Sequence, residues 1–123
     1  MKFTDIGLIT EDVPKLAGFY EALFRTKAEG DAVHSYIQTD GAGIAVYAKQ
    51  SAESDMNFDF SVYYGRGAFT LCYNVDDVDA EYERIKAMGA EFVQPPATWP
   101  WGARSMHFRD PDGNIICFRS RPE

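Results

Sequence analysis

A single carboxylate in an apolar stretch is the first residue of this chain that could do chemistry. Asp5 lies within residues 3–10, which are otherwise apolar or β-branched on alternate positions. Such a carboxylate could anchor a cationic or hydrogen-bonding ligand, or act as a base if burial raised its pKa. The alternative is a structural carboxylate that accepts hydrogen bonds from a backbone N–H or an arginine.

Two thiols and two imidazoles are the other reactive groups. Cys72 and Cys117 are far apart and form no CxxC motif. A nucleophilic cysteine needs a neighbour that stabilises its thiolate. The sequence places no His or Lys beside Cys117, so we expect both thiols to be buried and inert. His107 could be a general acid or base, although a lone His on a strand is more often structural, and we expect His34 at the surface.

Aromatic residues form the third group of candidates. Trp99 and Trp101 are flanked by prolines and glycine in residues 95–102, which we predict to be a loop. Indoles in a loop can close over a planar or cationic ligand by stacking; they can equally cover a dimer interface or a sheet edge. Arg104 could pair with an acidic group of a ligand. The aromatic run at 58–64 has the same two interpretations, a lid over a cleft or a dimer contact.

The elements that must position these residues follow from hydrophobic spacing and from turn residues. Asp12 and Asp77 are predicted helix N-caps, and Asp110–Asn114 is a predicted turn whose carboxylates serve the backbone. Residues 50–66 show no clean period and indicate a linker that packs part of itself down, through Phe58, Phe60, Tyr63 and Tyr64. The predicted helices span 13–24 and 78–88; the predicted strands span 3–10, 26–30, 33–39, 43–49, 67–75, 90–94, 103–109 and 114–119.

Composition limits the class of protein. The chain has 123 residues, 46% of them hydrophobic and 25% charged, which suits one soluble globular domain and excludes a disordered chain. Its net charge of −7 makes nucleic acid a poor partner. No run approaches the roughly 18 apolar residues of a membrane helix, and the N-terminus lacks the apolar core of a signal peptide. We therefore expect a cytoplasmic protein with reduced thiols and no membrane partner.

The order strand, helix and three strands occurs twice. Asp12-Val13 recurs as Asp77-Val78, and Asp40-Gly41 recurs as Asp112-Gly113. This order indicates two copies of one small module.

The motifs in this order resemble a known family. Asp12-Val13 followed by Gly18-Phe19-Tyr20, and a tail of Trp101-Gly102 followed by residues 108–114, are similar to the vicinal oxygen chelate superfamily. That group includes glyoxalase I, extradiol dioxygenases and bleomycin-resistance proteins. The resemblance spans the whole chain. It implies an α+β fold of two βαβββ modules, about 1–49 and about 67–121, whose strands curl into one open, cleft-forming mixed sheet with helices outside. It also implies a homodimer.

Enzymes of that superfamily hold a divalent metal through His, Gln or Glu on the first and fourth strands of each module. The resemblance places those positions at Asp5, Ala45, Thr70 and Cys117. Alanine cannot ligate a metal, and one carboxylate with one thiol leaves half a coordination shell. We therefore expect no metal and no other cofactor, with a divalent metal as the alternative.

Strand parity then predicts which side chains face a metal-free cleft. If Ile6 and Leu8 pack under a helix, Asp5, Gly7 and Ile9 face the cleft. The same parity selects Ala45, Tyr47, Thr70, Cys72, Cys117, Arg119, Ser105 and His107. The predicted ligand-binding set is Asp5, Tyr47, Thr70, Trp99, Trp101, Arg104, His107 and Cys117, and no catalytic residue is assigned.

The leading hypothesis is a small-molecule binding protein that resembles the bleomycin-resistance branch. It would sequester a planar or cationic ligand by stacking on rings beside a buried carboxylate. The alternative is a lyase, isomerase or dioxygenase of the same superfamily. Such an enzyme would use a divalent metal, or Asp5 or His107 as a cofactor-free acid or base.

Overall fold

The structure is a computed structural model that describes residues 1–61 and 69–121. The chain divides into two compact units, Met1–Tyr64 and Gly65–Glu123. Tyr63, Tyr64 and the first residues of the predicted strand 67–75 lie outside the described residues.

The first unit is a βαβββ module followed by a helix. Its sheet has the order β1-β4-β3-β2, in which β1 runs parallel to β4 and the other pairs are antiparallel. A parallel pair requires a crossover, which the first helix and the two middle strands supply. The elements are β1 (Asp5–Thr10), α1 (Val13–Phe24), β2 (Glu29–Gly30), β3 (His34–Ile37), β4 (Gly43–Ala48) and α2 (Lys49–Asp55).

Local sequence explains why α1 begins and ends where it was predicted to. The Asp12 side chain accepts a hydrogen bond from the backbone N–H of Lys15 at 3.1 Å, and a proline occupies the first turn. Arg25 ends the helix in the left-handed conformation, with φ of 53°. The buried face of the helix carries Val13, Leu16, Ala17, Tyr20 and Leu23.

The two faces of the first sheet differ sharply. One face carries Leu8, Ile37, Ile44 and Val46, all at most 3% exposed, and forms the core. Gly7 and Ile9 on β1 project to the other face. They pair with Ala45 and Tyr47 on β4, which project to the same side. We call this second side the open face of the first sheet.

The second unit repeats the module. Its sheet has the order β5-β8-β7-β6, with β5 parallel to β8. Met106 and Phe108 are fully buried and face its core, as predicted. Asp77 caps its helix by accepting from the backbone N–H of Ala80. The elements are β5 (Thr70–Asn74), α3 (Val78–Ala87), β6 (Glu91–Thr98), β7 (Arg104–Arg109) and β8 (Ile115–Ser120).

The structure confirms the α+β class with two βαβββ modules and two four-stranded mixed sheets. It also confirms the turn role of Asp110. The carboxylate of Asp110 accepts hydrogen bonds from the backbone N–H groups of Asp112 and Asn114 and from the side-chain amide of Asn114. Buried acceptor groups of this kind hold the connection between β7 and β8.

The strands predicted at 3–10, 26–30 and 33–39 are shorter in the structure, and two further boundaries need correction. The predicted linker at 50–66 begins inside a helix, because α2 spans Lys49–Asp55 and buries Ala52. Strand β6 extends to Thr98, so Pro95 and Pro96 belong to a strand and not to a loop. Strand β6 is at the edge of its sheet, and its pairing with β7 shifts register twice. Prolines are tolerated at such positions because the backbone N–H that they lack is not needed for pairing.

No helix in the part of the chain that the structure describes is long and apolar enough to cross a membrane.

Two glycines in or beside helices should respond oppositely to alanine. A Cβ at Gly18, inside α1, would meet no atom within 4 Å, and the same is true at Gly89, but Gly89 has a φ of +80°. We expect Gly18→Ala to raise the free energy of unfolding by about 0.5–1 kcal/mol, because glycine costs helix entropy. Gly89→Ala should lower it by about 1 kcal/mol, because Cβ disfavours the left-handed region. Urea titration measures both, and destabilisation by Gly18→Ala would contradict the helix assignment.

Candidate functional site

The open face of the first sheet carries a cavity of about 610 Å³. This volume lies in the range of small-molecule sites. Strands β1, β3 and β4 provide its floor, the turn before β3 provides one wall, and the segment after α2 provides another. The lining residues are Gly7, Ile9, Asp31, Val33, His34, Ala45, Tyr47, Met56 and Phe58.

A glycine and an alanine create the volume over the middle of the sheet. Gly7 and Ala45 lie directly opposite each other on the parallel strands β1 and β4. A Cβ built at Gly7 would meet no atom within 4 Å, so the space above this strand is empty. Larger side chains at these two positions would occupy the cavity.

Asp31, in the turn before β3, is the only Asp, Glu, Lys or Arg among the described residues that line the cavity. The Asp31 Oδ1 atom accepts hydrogen bonds from the backbone N–H of Val33 at 2.8 Å and of His34 at 3.0 Å. These bonds lower the pKa of Asp31, with the His34 amide as the largest cause, so this group is a carboxylate at neutral pH. Within the described residues both bonds end on Oδ1, which leaves Oδ2 available to a ligand.

Aromatic rings form the walls. The His34 and Tyr47 rings lie on paired positions of β3 and β4, with centroids 5.6 Å apart. Phe58 follows α2, and its backbone N–H donates to the carbonyl of Ala52 at 3.2 Å, which ties it to the buried residue in the middle of that helix. Asn57, which lies between α2 and Phe58, adopts a left-handed φ of 58°. The rings of Tyr47 and Phe58 offer surfaces on which a flat molecule can stack.

Of the predicted ligand-binding residues in the first unit, Tyr47 lines the cavity and Asp5 does not. Asp5 is exposed at the start of β1, and its carboxylate accepts a hydrogen bond from the Thr4 hydroxyl at 2.6 Å. The buried carboxylate expected of Asp5 is therefore absent at that position, and the carboxylate that lines the cavity is that of Asp31, which is also exposed.

Sequence reasoning missed four lining residues: Asp31, Val33, His34 and Met56. The available signal was strand pairing, because β3 pairs with β4 and places His34 opposite Tyr47. His34 is at the surface as expected, but it is also a wall of the cavity.

In the second unit, three predicted residues occupy neighbouring strands. Cys117 on β8 lies opposite Cys72 on β5 and opposite His107 on β7. The expectation that no imidazole lies beside Cys117 is wrong, because pairing of β7 with β8 brings His107 there. The expectation of two buried thiols is half wrong, since Cys117 is buried and Cys72 is exposed. Thr70 is exposed, with its hydroxyl 3.2 Å from the Cys72 sulfur.

Burial keeps Cys117 protonated. Desolvation, and then the neighbouring Cys72, raise the pKa of Cys117 to about 11. Low-dielectric surroundings penalise the thiolate, so Cys117 has the opposite character to a catalytic nucleophile.

The two indoles stack on each other. Their ring centroids are 5.7 Å apart and their planes differ by 8°. The Trp99 indole N–H donates to the Ser105 hydroxyl at 2.7 Å, and Trp101 is 73% exposed. Trp99 is thus fixed against β7, and Trp101 presents its outer surface to solvent.

Arg104 is engaged within its own unit. Its guanidinium donates to both carboxylate oxygens of Asp79, at 2.9 and 2.7 Å, and to the Thr98 hydroxyl at 3.0 Å. These bonds lower the pKa of the Asp79 carboxyl. A ligand acid at Arg104 would have to compete with this bidentate pair.

The residues at the four metal-ligand positions do not fit a divalent metal. In the first unit Asp5 is exposed and Ala45 has no donor atom. In the second unit Thr70 offers a weak hydroxyl ligand and Cys117 a protonated thiol. Within residues 1–61 and 69–121, no group of three or more His, Cys, Asp or Glu side chains is placed to hold a metal ion.

Comparisons with known proteins agree with this fold. The family model of the Glyoxalase/Bleomycin resistance protein/Dioxygenase superfamily matches residues 2–118. The chain is 26% identical to the uncharacterized protein YraH of Bacillus subtilis (strain 168), over 94% of this chain and 95% of that protein. A family enzyme from Burkholderia phytofirmans PsJN superposes with a TM-score of 0.87 at 20% identity, covering 99% of this chain and 100% of that one. A glyoxalase-related enzyme from Fulvimarina pelagi superposes with a TM-score of 0.81 at 25% identity, covering 98% and 88%.

The two cysteines should differ in their reactivity toward an alkylating reagent such as N-ethylmaleimide. With a pKa of about 11, roughly one Cys117 thiol in a thousand is ionised at pH 8, and the group is also buried. We expect brief treatment at pH 8 to alkylate one thiol per chain of the native protein and two of the denatured protein, counted by intact-mass spectrometry. Cys72→Ser should abolish the native reaction. Rapid labelling of both thiols in the native protein would contradict the burial of Cys117.

Proposed function

Because the chain belongs to the glyoxalase/bleomycin resistance protein/dioxygenase superfamily, we propose that it binds a planar, positively charged small molecule in the cavity of its first unit. The proposed role is sequestration of this ligand without chemistry. The observation that carries the proposal is the cavity itself, which combines aromatic walls, an empty floor and one fixed carboxylate.

Charge favours a cation. Asp31 is the only Asp, Glu, Lys or Arg among the described lining residues. Because its pKa is lowered, it is ionised at neutral pH and gives the cavity a negative charge. The net charge of −7 adds an attractive field for cations at a distance. An anionic ligand would meet repulsion from both.

Shape favours a flat ligand. Gly7 and Ala45 leave the middle of the sheet without bulky side chains, while Tyr47 and Phe58 contribute ring surfaces. A flat cation can contact this floor while its charge lies near Asp31 and the π faces of the rings. Cation–π contacts add about 0.5–2 kcal/mol according to how far the site is desolvated.

The alternative of an enzyme has one observation in its favour. His34 lines the same cavity as Asp31, and an imidazole can transfer a proton at neutral pH. A cofactor-free lyase or isomerase would use His34 in this way, in place of Asp5 or His107 as first expected. Turnover of a lyase or isomerase substrate that His34→Gln abolishes, with ligand affinity unchanged, would select the enzyme.

Metal content separates the proposal from a metal-dependent enzyme of the family. The protein purified without chelators should contain less than stoichiometric Mn, Fe, Ni and Zn by elemental analysis, because Ala45 and Thr70 supply no adequate donors. One equivalent of any of these metals, lost in an Asp5→Ala variant, would overturn the metal-free site.

The matched ligands acridine and 10-methylacridinium test the charge directly, because they share a ring system and only the second is permanently cationic. We expect 10-methylacridinium to bind more tightly by about fivefold in Kd, because only this ligand carries a charge that the exposed Asp31 carboxylate attracts. Isothermal titration calorimetry measures both affinities, and a melting-temperature screen of aromatic and cationic antibiotics extends the comparison.

Two variants and one control make this test specific. Asp31→Asn should remove the preference for the cation, and Gly7→Leu should fill the cavity and abolish binding of both ligands. Asp59→Asn removes an equal charge in the same unit at a carboxylate that bonds to Ser61 and does not line the cavity. It should bind as the natural sequence does. Equal affinity for the two ligands in the unaltered protein would refute the proposal.

We also propose that the chain forms a homodimer, which the family resemblance supports. Light scattering on the purified protein measures its mass directly, and a monomer at micromolar concentration would contradict this.

A further inference from the structure

The two cysteines, 45 residues apart in sequence, meet on neighbouring strands of the second sheet. Cys72 on β5 and Cys117 on β8 are direct partners in the parallel ladder. Parallel neighbours are about 4.8 Å apart, and directly paired residues project to the same face. The Cys72 thiol is close enough to Cys117 to contribute to the raised pKa of that thiol. Two thiols therefore lie side by side in one sheet.

The pair is reachable from one side. Cys72 is exposed and Cys117 is buried, so a reagent meets Cys72 first and Cys117 behind it. Thr70, two residues before Cys72 on β5, places its hydroxyl 3.2 Å from the Cys72 sulfur. The arrangement is a surface thiol backed by a second, sheltered thiol.

We propose that Cys72 and Cys117 form a dithiol site that captures trivalent oxyacids of arsenic or antimony. These compounds form two bonds to sulfur on one central atom, which a pair of neighbouring thiols on one face satisfies and a single thiol does not.

The reaction balances without an oxidant. Arsenous acid carries three hydroxyl groups on trivalent arsenic. Each thiol exchanges its S–H proton for an As–S bond, and each displaced hydroxyl leaves as water, so two As–S bonds form and two water molecules depart. The arsenic stays trivalent and both sulfurs keep their oxidation state.

The protonated state of the Cys117 thiol favours this ligand over a soft metal ion. Copper(I) or zinc would need both sulfurs as thiolates. Burial holds the pKa of Cys117 at about 11, so binding of such an ion at neutral pH must overcome the cost of ionising that thiol. Condensation of the Cys117 thiol with an arsenic hydroxyl starts from the neutral thiol and ends in a neutral product, which suits its buried position.

The chemistry is independent of the cavity in the first unit. None of the residues that line that cavity belongs to β5 or β8. The dithiol site can therefore exist whether or not the cavity binds a cation.

Phenylarsine oxide is the probe that tests the site, because it condenses with two thiols and loses one water. We expect intact-mass spectrometry of the reduced native protein to show one adduct per chain. The adduct should survive an excess of the monothiol mercaptoethanol and be removed by the dithiol dimercaptopropanol. Sodium arsenite should block adduct formation when added first.

The variants separate a dithiol site from a single reactive thiol. Cys72→Ser and Cys117→Ala should each reduce the adduct that remains after mercaptoethanol at least tenfold. Circular dichroism and a melting curve establish that each variant is folded, and Cys72→Ser keeps the test valid if Cys117→Ala unfolds, because Cys72 is exposed. Asp31→Asn and Gly7→Leu should leave the adduct unchanged, which distinguishes this site from the cation site.

Three results with the single chain would overturn the proposal. These are the absence of an adduct on the native protein, loss of the adduct to mercaptoethanol, and retention of a mercaptoethanol-resistant adduct in Cys72→Ser. A covalent dimer bridged by arsenic between two chains would also overturn it, because the site requires both sulfurs of one chain.

Discussion

The parallel pairing of the first and last strands in each unit is the constraint on which the rest of the structure depends. Strand β1 pairs with β4 so that Gly7 lies opposite Ala45, and β5 pairs with β8 so that Cys72 lies opposite Cys117. Because side chains alternate between the faces of a strand, a slip of one residue would move each of them to the core. The cavity of the first unit and the thiol pair of the second therefore result from the same kind of register.

One set of strands serves packing and binding together in the first unit. The large apolar side chains of Ile44 and Val46 fill the core face, while Ala45 between them leaves room on the open face. This alternation of large and small residues separates stability from ligand recognition. Substitutions at Gly7 can therefore alter the cavity without removing a core contact, since a Cβ there meets no atom within 4 Å.

Much of the fold could be predicted from local signals. Helix α1 has the predicted bounds because Asp12 caps it and Leu16 begins a clear apolar stripe. Helix α2 was missed because it buries only Ala52, which leaves no periodic pattern to detect. Strand β6 was predicted too short because Pro95 and Pro96 normally end a strand; only its place at the sheet edge makes them tolerable.

The sequence by itself determined which chemical groups are present: no His, Glu or Gln at the four ligand positions, an acidic surface, and the face of each strand on which Tyr47 and Cys117 lie. Only the tertiary structure decided which groups meet. Asp31 lines the cavity because the turn before β3 holds it there. Cys72 lies beside Cys117 because β8 pairs with β5. Local sequence carries residue type and alternation, whereas contacts between distant strands depend on pairing that no local pattern specifies.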